Sequence, residues 1–417
     1  MICLAANGFG LKKASENFPN SAAWQAIGFQ FEHVAWVGCA FWDLIQPSFM
    51  FLVGVAMTYS YGKRESAGAS PLAMTIQVLT RSVVLVVLGI FLSSIGKPTT
   101  NFTFMNVLTQ IGLGYPFLFF LRNRTFVTQA AFSALILGGY WAWFAITPVV
   151  PLENLAEYNL PADWSRLEGF EAHWQKNANP AATFDRWLLN LFPAPDDKST
   201  DLSATHVQGE AATTSDAPVP TSPKFADLSY SIRRLVTRPE RYVFNNGGYQ
   251  TLNFVPSLVT MIFGLMTGEF VRRTSLSRSK TFGVLLLAGL LLLACGWTWQ
   301  ALGWCPLVKR IWTPSWTLFS TGWTLLIFSG FYGLIDCLGW KAWSFPLVVA
   351  GMNSMVVYFL GQLLRGWTAD LLKRHINDRL FDIFGSQYSP IVEANLVLIC
   401  FWLFVFWLYR QRVFIRV

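Results

Sequence analysis

From Leu44 to Tyr61 the chain stays apolar for long enough to cross a bilayer, and eight later stretches repeat the pattern. A spanning helix needs roughly 20 mostly apolar residues. That length predicts helices near 42–61, 77–95, 104–121, 126–149, 251–271, 281–302, 314–337, 344–363 and 391–409. Composition agrees, with 53% hydrophobic and only 13% charged residues, where a soluble globule carries about 25% charged. The fold class expected is all-α, a polytopic transmembrane bundle of about ten helices. The first is incomplete: the apolar fragment 2–9 covers about half of a bilayer core and reads as the back end of a helix whose front is missing. It lacks the basic lead-in of a signal peptide.

Basic residues in short loops set the expected orientation. Lys63, Arg64, Arg122, Arg124, Arg272, Arg273, Arg278, Lys280, Lys341, Arg410, Arg412 and Arg416 fall on one side, read as cytoplasmic. The other side carries Lys97, the Lys309/Arg310 pair and two long segments. Residues 10–41, 150–250 and 364–390 are then extracytoplasmic, and the C-terminus is cytoplasmic. The whole chain, 1–417, reads as one transmembrane domain. Its 150–250 loop is too long for a simple connector. Within that loop, 195–223 is rich in Ala, Ser, Thr, Pro and Asp and reads as a disordered insert. The net charge of +8 fits basic loops facing an anionic leaflet. No aromatic-basic platform suggests nucleic acid. The six cysteines have neither CxxC nor metal-ligand spacing. They read as apolar packers, with a Cys39–Cys305 disulfide allowed by the topology.

Chemistry concentrates in HVAWVGCAFWDLIQPSFMFLVGVAM, residues 33–57. Asp43, Gln46 and Pro47 stand at the mouth of the first complete helix, and each makes insertion harder. His33 precedes them. It reads either as a general base or nucleophile or as a hydrogen-bonded interfacial histidine. Asp43 either caps the helix or orients a catalytic group. Asn7, in the apolar fragment, needs a hydrogen-bond partner. Asn106 and Gln110 share a helix face, and with Asn253, Ser257, Asn353, Ser354 and Gln362 they suggest a polar cavity through the bundle. Arg81, read as lying near the cytoplasmic end of its helix, either snorkels or meets a phosphate. No dinucleotide, P-loop, GxSxG or HExxH motif is present.

These residues together resemble the heparan-α-glucosaminide N-acetyltransferase family of polytopic membrane acyltransferases, particularly its bacterial members. The resemblance runs over nearly the whole chain. It is carried by Asn7–Gly8, by 33–54, by RSVVLVVLGI at 81–90 and by NVLTQIGLGY at 106–115. A Gly turn with its helix at 247–268, IWTPSW at 311–316 and GMNSMVVY at 351–358 continue it. It implies acetyl transfer from cytosolic acetyl-CoA, a co-substrate, to a glucosamine-type amine on the extracytoplasmic face. The family's essential histidine matches His33, its catalytic asparagine Asn7, its Asp before the Pro-containing helix Asp43, and its Arg-Ser Arg81–Ser82. Arg81, Asn106, Gln110, Asn353 and Ser354 are then expected to hold acetyl-CoA, without a metal. An Asp-x-x-Arg-Gly stretch opening the family's first bundle helix is absent here. So is the large lumenal domain of the animal enzyme, and the Asn7–His33 loop is longer. The partners expected are membrane lipids and an extracytoplasmic amino sugar or polysaccharide, with a homodimer left open and the bacterial inner membrane as location. Rival readings are an O-acyltransferase of envelope polysaccharide and a membrane transporter. A transporter should carry inverted repeats and paired broken helices, and the sequence displays neither.

Overall fold

The computed structural model describes residues 2–415 except 98, 192–240 and most positions between 152 and 165. The insert expected at 195–223 lies outside the described residues. Short helices α1 (Ile2–Ala5), α2 (Leu11–Glu16) and α3 (Ala22–Gln30) precede the long ones. Then follow α4 (Ile45–Ser66), α5 (Pro71–Ser94), α6 (Val107–Leu121), α7 (Phe126–Ile146) and the short α8 (Pro180–Leu189). The second half holds α9 (Phe254–Arg273), α10 (Arg278–Ala301), α11 (Pro314–Tyr332), α12 (Phe345–Met352), α13 (Ser354–Leu363), α14 (Arg365–Ile376) and α15 (Ser389–Arg410). Among the described residues the only β pairing is an isolated bridge between Val37 and Val308. The architecture is all-α, as the apolar runs require.

Seven described helices are long and apolar enough to span a bilayer, and the chain is an integral membrane protein. The run at 104–121 gives the shorter α6. The run at 344–363 is not one helix: α12 and α13 meet at an angle of 71°. Asn353 is the cause. Its backbone leaves helical geometry (φ −122°, ψ 40°), and its buried amide is committed to the chain's last described residues. Nδ2 donates to the Val413 carbonyl at 3.1 Å, and Oδ1 accepts from the Ile415 amide at 3.0 Å. Helix α5 starts six residues before the expected 77, because Ser70 caps it and Pro71 takes its first turn, where the missing N–H is no loss. Arg81 therefore stands about 15 Å into the helix, not near its end.

Two packs of helices form the bundle. The larger core joins α4, α5, α6, α9 and the start of α11 through Met50, Leu108, Tyr115, Met261 and Trp316. Its tightest seam is α4 against α9, where Gly54 and Gly264 face each other's backbone. Small residues allow such an approach, and packing then holds helices together where lipid gives no hydrophobic drive. The smaller core gathers α1 and α12–α15 around Val349, Val397 and Phe401. A third cluster caps the end that carries His33: Trp36, Phe144, Trp174, Val308 and Ile311 pack there. Cys39 and Cys305, a pair the topology allowed, are both free. Cys305 is buried beside the Ser315 hydroxyl.

Candidate active site

The chain turns from α3 into a loop, residues 34–40, that is pinned to a second loop preceding α11. Gly38 N donates to the Leu307 carbonyl at 2.9 Å, beside the Val37–Val308 bridge. The second loop is itself over-determined. Thr313 Oγ accepts from Val308 N and donates to the Pro306 carbonyl, and Ser315 Oγ donates to the same carbonyl. Trp312 closes the turn in the left-handed region at φ 48°. The two loops bring together residues 276 apart in sequence: His33 and Lys309.

Asp43 sits in the 3₁₀ turn Phe41–Leu44 that leads into α4. Its side chain is 1% exposed, yet every oxygen is satisfied. Oδ2 accepts from Ala40 N at 3.2 Å and Val34 N at 3.3 Å. Oδ1 lies 2.6 Å from His33 Nδ1 and 3.3 Å from Lys309 Nζ. The carboxylate thus caps the turn and holds the His33 ring at once. An ionised carboxylate only accepts, so Nδ1 carries a ring proton, and Nε2 makes no hydrogen bond among the described residues. Lys309 Nζ, 3.2 Å from Nδ1, is also a donor and bonds Asp43 rather than the ring. Burial pushes the Lys309 ammonium down to about 8, with the Asp43 charge opposing the shift.

His33 opens onto a polar pocket of about 410 Å³, bordered also by Gln46, Asn106, Tyr242, Asn245, Tyr249 and Lys309. Asn106 caps α6 through Leu108 N at 2.9 Å. Gln110, fully buried one turn on, accepts from Gln46 Nε2 at 3.2 Å. Asn106 thus borders the same pocket as His33, and Gln110 stands behind its wall through Gln46. On the other side of the α4 mouth lies a second cavity, about 760 Å³ and mostly apolar. It follows one face of α4 through Phe41, Leu44, Ser48, Leu52, Ala56 and Ser60, a length of about 28 Å. α11 flanks that face, and α1, α12 and α13 form the far wall. The cavity is therefore the seam between the two packs.

Arg81 and Tyr115 also line this cavity. Arg81 Nη1 donates to the Tyr115 hydroxyl at 2.9 Å, while its Nε–H is buried without a partner among the described residues. Tyr115 in turn meets the Tyr61 hydroxyl one turn beyond Met57, which sets Arg81 toward the end of the cavity away from Asp43. Ser354 borders the cavity beside the helix break, whereas Asn353 is buried and spent on the 413–415 segment. Asn7 holds a left-handed turn (φ 46°), and its side-chain amide makes no hydrogen bond with the described residues. The next residue, Gly8, packs against Phe31 and Trp42, and Trp42 lies 6.3 Å from the His33 ring.

The expected polar set is thus divided. Asn106 borders the pocket and Gln110 bonds its wall, Arg81 and Ser354 border the apolar seam, and Asn353 holds the tail. Asn253 ties the Arg310 carbonyl at 2.7 Å. Among the described residues this set does not line one shared cavity, and most of its amides spend their capacity on backbone or on each other. Sequence reasoning missed Lys309. The signal available was a basic pair, Lys309/Arg310, in a short loop on the side that the sequence reading takes as extracytoplasmic, where few basic residues are expected. Set against known protein families and curated proteins, the chain matches no family model and no curated protein.

Proposed function

We propose that the chain is a transmembrane acyltransferase that passes an acetyl group from cytosolic acetyl-CoA to the amine of a glucosamine-type sugar on the other face. One observation carries this reading. A histidine fixed by a buried carboxylate borders a polar pocket, and across the α4 mouth an apolar seam runs about 28 Å toward an arginine whose Nε–H has no partner among the described residues. Base, acceptor space and a path for a thioester arm are what such a transfer requires. The His33 end is outside in this reading, because Lys63, Arg64, Arg122, Arg272 and Arg273 gather at the opposite helix ends.

The chemistry follows from the parts. The sugar amine, in the polar pocket, must lose a proton as it attacks the thioester carbonyl. His33 Nε2 takes that proton while Asp43 holds the ring through Nδ1–H. Collapse of the tetrahedral adduct breaks the C–S bond, and the departing CoA thiolate recovers the proton from His33. The free amide of Asn7 donates to the developing oxyanion. Arg81 offers a planar cation to a phosphate or carbonyl of the donor. A second reading, a transporter, has one observation in its favour: the broken α12–α13 helix beside the cavity. Purified protein in detergent, given acetyl-labelled acetyl-CoA and glucosamine, should yield N-acetylglucosamine and free CoA. Label only on hydroxyls of a polysaccharide would move the reading to O-acylation. No label on any acceptor would overturn it.

A further inference from the structure

Two donors share one buried carboxylate oxygen at the His33 site. Asp43 Oδ1 receives His33 Nδ1 at 2.6 Å and Lys309 Nζ at 3.3 Å, and Nζ stands 3.2 Å from Nδ1. Asp43 and Lys309 are 1% and 5% exposed, while His33 is 38% exposed. A buried carboxylate needs one positive partner. If only the imidazole were present, Asp43 would stabilise its charged form, as an opposite charge within about 4–6 Å does. With the ammonium already in place the pair is neutral. A second charge on the ring would then face a like charge at hydrogen-bond distance.

The surroundings do not change this balance. Arg310 reaches the Gly247 and Val34 carbonyls and lies over the Tyr249 ring. Cys39 packs beside Asp43, with burial pushing its thiol up to about 12. Tyr242 and Tyr249 border the pocket, and burial raises the Tyr249 hydroxyl. Lys176, nearby under Gly248, is another cation, held over the Trp164 ring. Glu32, next to His33 in sequence, is taken by Lys12 at 2.6 Å. Among the described residues facing the ring, Asp43 is the one carboxylate.

We infer that Lys309 is a positioning residue that neutralises Asp43, so that His33 rests as the uncharged Nδ1–H tautomer with Nε2 ready to accept a proton. Asp43 alone would orient the ring but also charge it, removing the base. Lys309 separates the two effects: orientation stays with Asp43, and the compensating charge moves to an amine held 3.3 Å from Oδ1, at the Nδ1 edge of the ring. The hydrogen-bonded 305–313 turn carries Lys309 to this position.

The inference rests on His33 acting as a base, but its test needs no turnover. Diethyl pyrocarbonate acylates only the neutral imidazole, and site-resolved mass spectrometry reads His33 separately from His173, His206 and His375. Reactivity against pH gives a midpoint for each variant. Lys309→Met should move the His33 midpoint up by about one unit or more, and Lys309→Arg should leave it near wild type. Should Lys309→Met fail to yield folded protein, Asp43→Asn carries the test, since removing the anion should move the midpoint down. An unmoved midpoint in folded Lys309→Met, or an unmoved or raised one in Asp43→Asn, would overturn the inference. If the midpoints move as expected while no variant transfers acetyl groups, the charge assignment stands and the acyltransferase reading fails.

Discussion

His33→Ala should lower acetyl turnover at least about 100-fold, the low end of what a positioned general base contributes, while acetyl-CoA binding persists. The split follows from the geometry. His33 borders the polar pocket, and Arg81, which would meet the donor, lines a separate cavity toward its far end. Asn7→Ala should be severe but less so, since a lost oxyanion donor leaves the base in place. Turnover and equilibrium binding of radiolabelled acetyl-CoA, measured on the same detergent-purified variant, check the claim. Near-normal turnover in His33→Ala would return this residue to an interfacial hydrogen-bonding role. Loss of binding together with turnover would mean that the histidine shapes the donor site instead.

Gly54→Leu should prevent recovery of a monodisperse folded protein. A β-carbon at Gly54 would lie 2.0 Å from the Met261 carbonyl oxygen and 2.6 Å from Leu265 N. One at Gly264 would lie 1.9 Å from the Phe51 carbonyl oxygen. These are backbone atoms that no rotamer change can move, so α4 and α9 must separate along the seam that anchors the larger core. Overpacking in an adjustable core costs about 1–3 kcal/mol, and here the adjustment is of whole helices. Gly138→Leu on α7 is the control, because nothing lies within 4 Å of the added atom. Size-exclusion profiles of both variants in the same detergent decide the point. A monodisperse Gly54→Leu protein would show that the α4–α9 contact yields.

The helices were legible because hydropathy alone decides what crosses a bilayer, and each of the nine apolar runs is helical. Internal breaks were not. The run 344–363 stays apolar on average across GMNSM, and only the contacts of Asn353 with Val413 and Ile415, distant in sequence, show that its amide stabilises a bend. Arg81 was found, but its depth was misjudged because Ser70 and Pro71 extend α5 into sequence of weaker hydropathy. The site divides the same way. His33 and Asp43 lie ten residues apart, so one local stretch announces both. Lys309 comes from a loop 266 residues beyond Asp43, and the local basic pair does not show which carboxylate it meets. Asn106 and Gln110 sit four apart on one face, which sequence can see. What their amides bond to depends on Gln46 and on the helix terminus, which it cannot.

Transfer across a sealed membrane is the central claim. The protein is reconstituted in vesicles and its orientation read by impermeant thiol labelling of Ser66→Cys and Asn20→Cys, in a background lacking the native cysteines. These two exposed positions lie at opposite ends of the bundle in the proposed topology. Acetyl-labelled acetyl-CoA is supplied on the Ser66 side alone and glucosamine on the Asn20 side alone. The account predicts labelled N-acetylglucosamine on the Asn20 side and free CoA retained on the Ser66 side, with both lost in His33→Ala. Product formed only when donor and acceptor share one side, or thiol labelling of both positions from the same side, would contradict it.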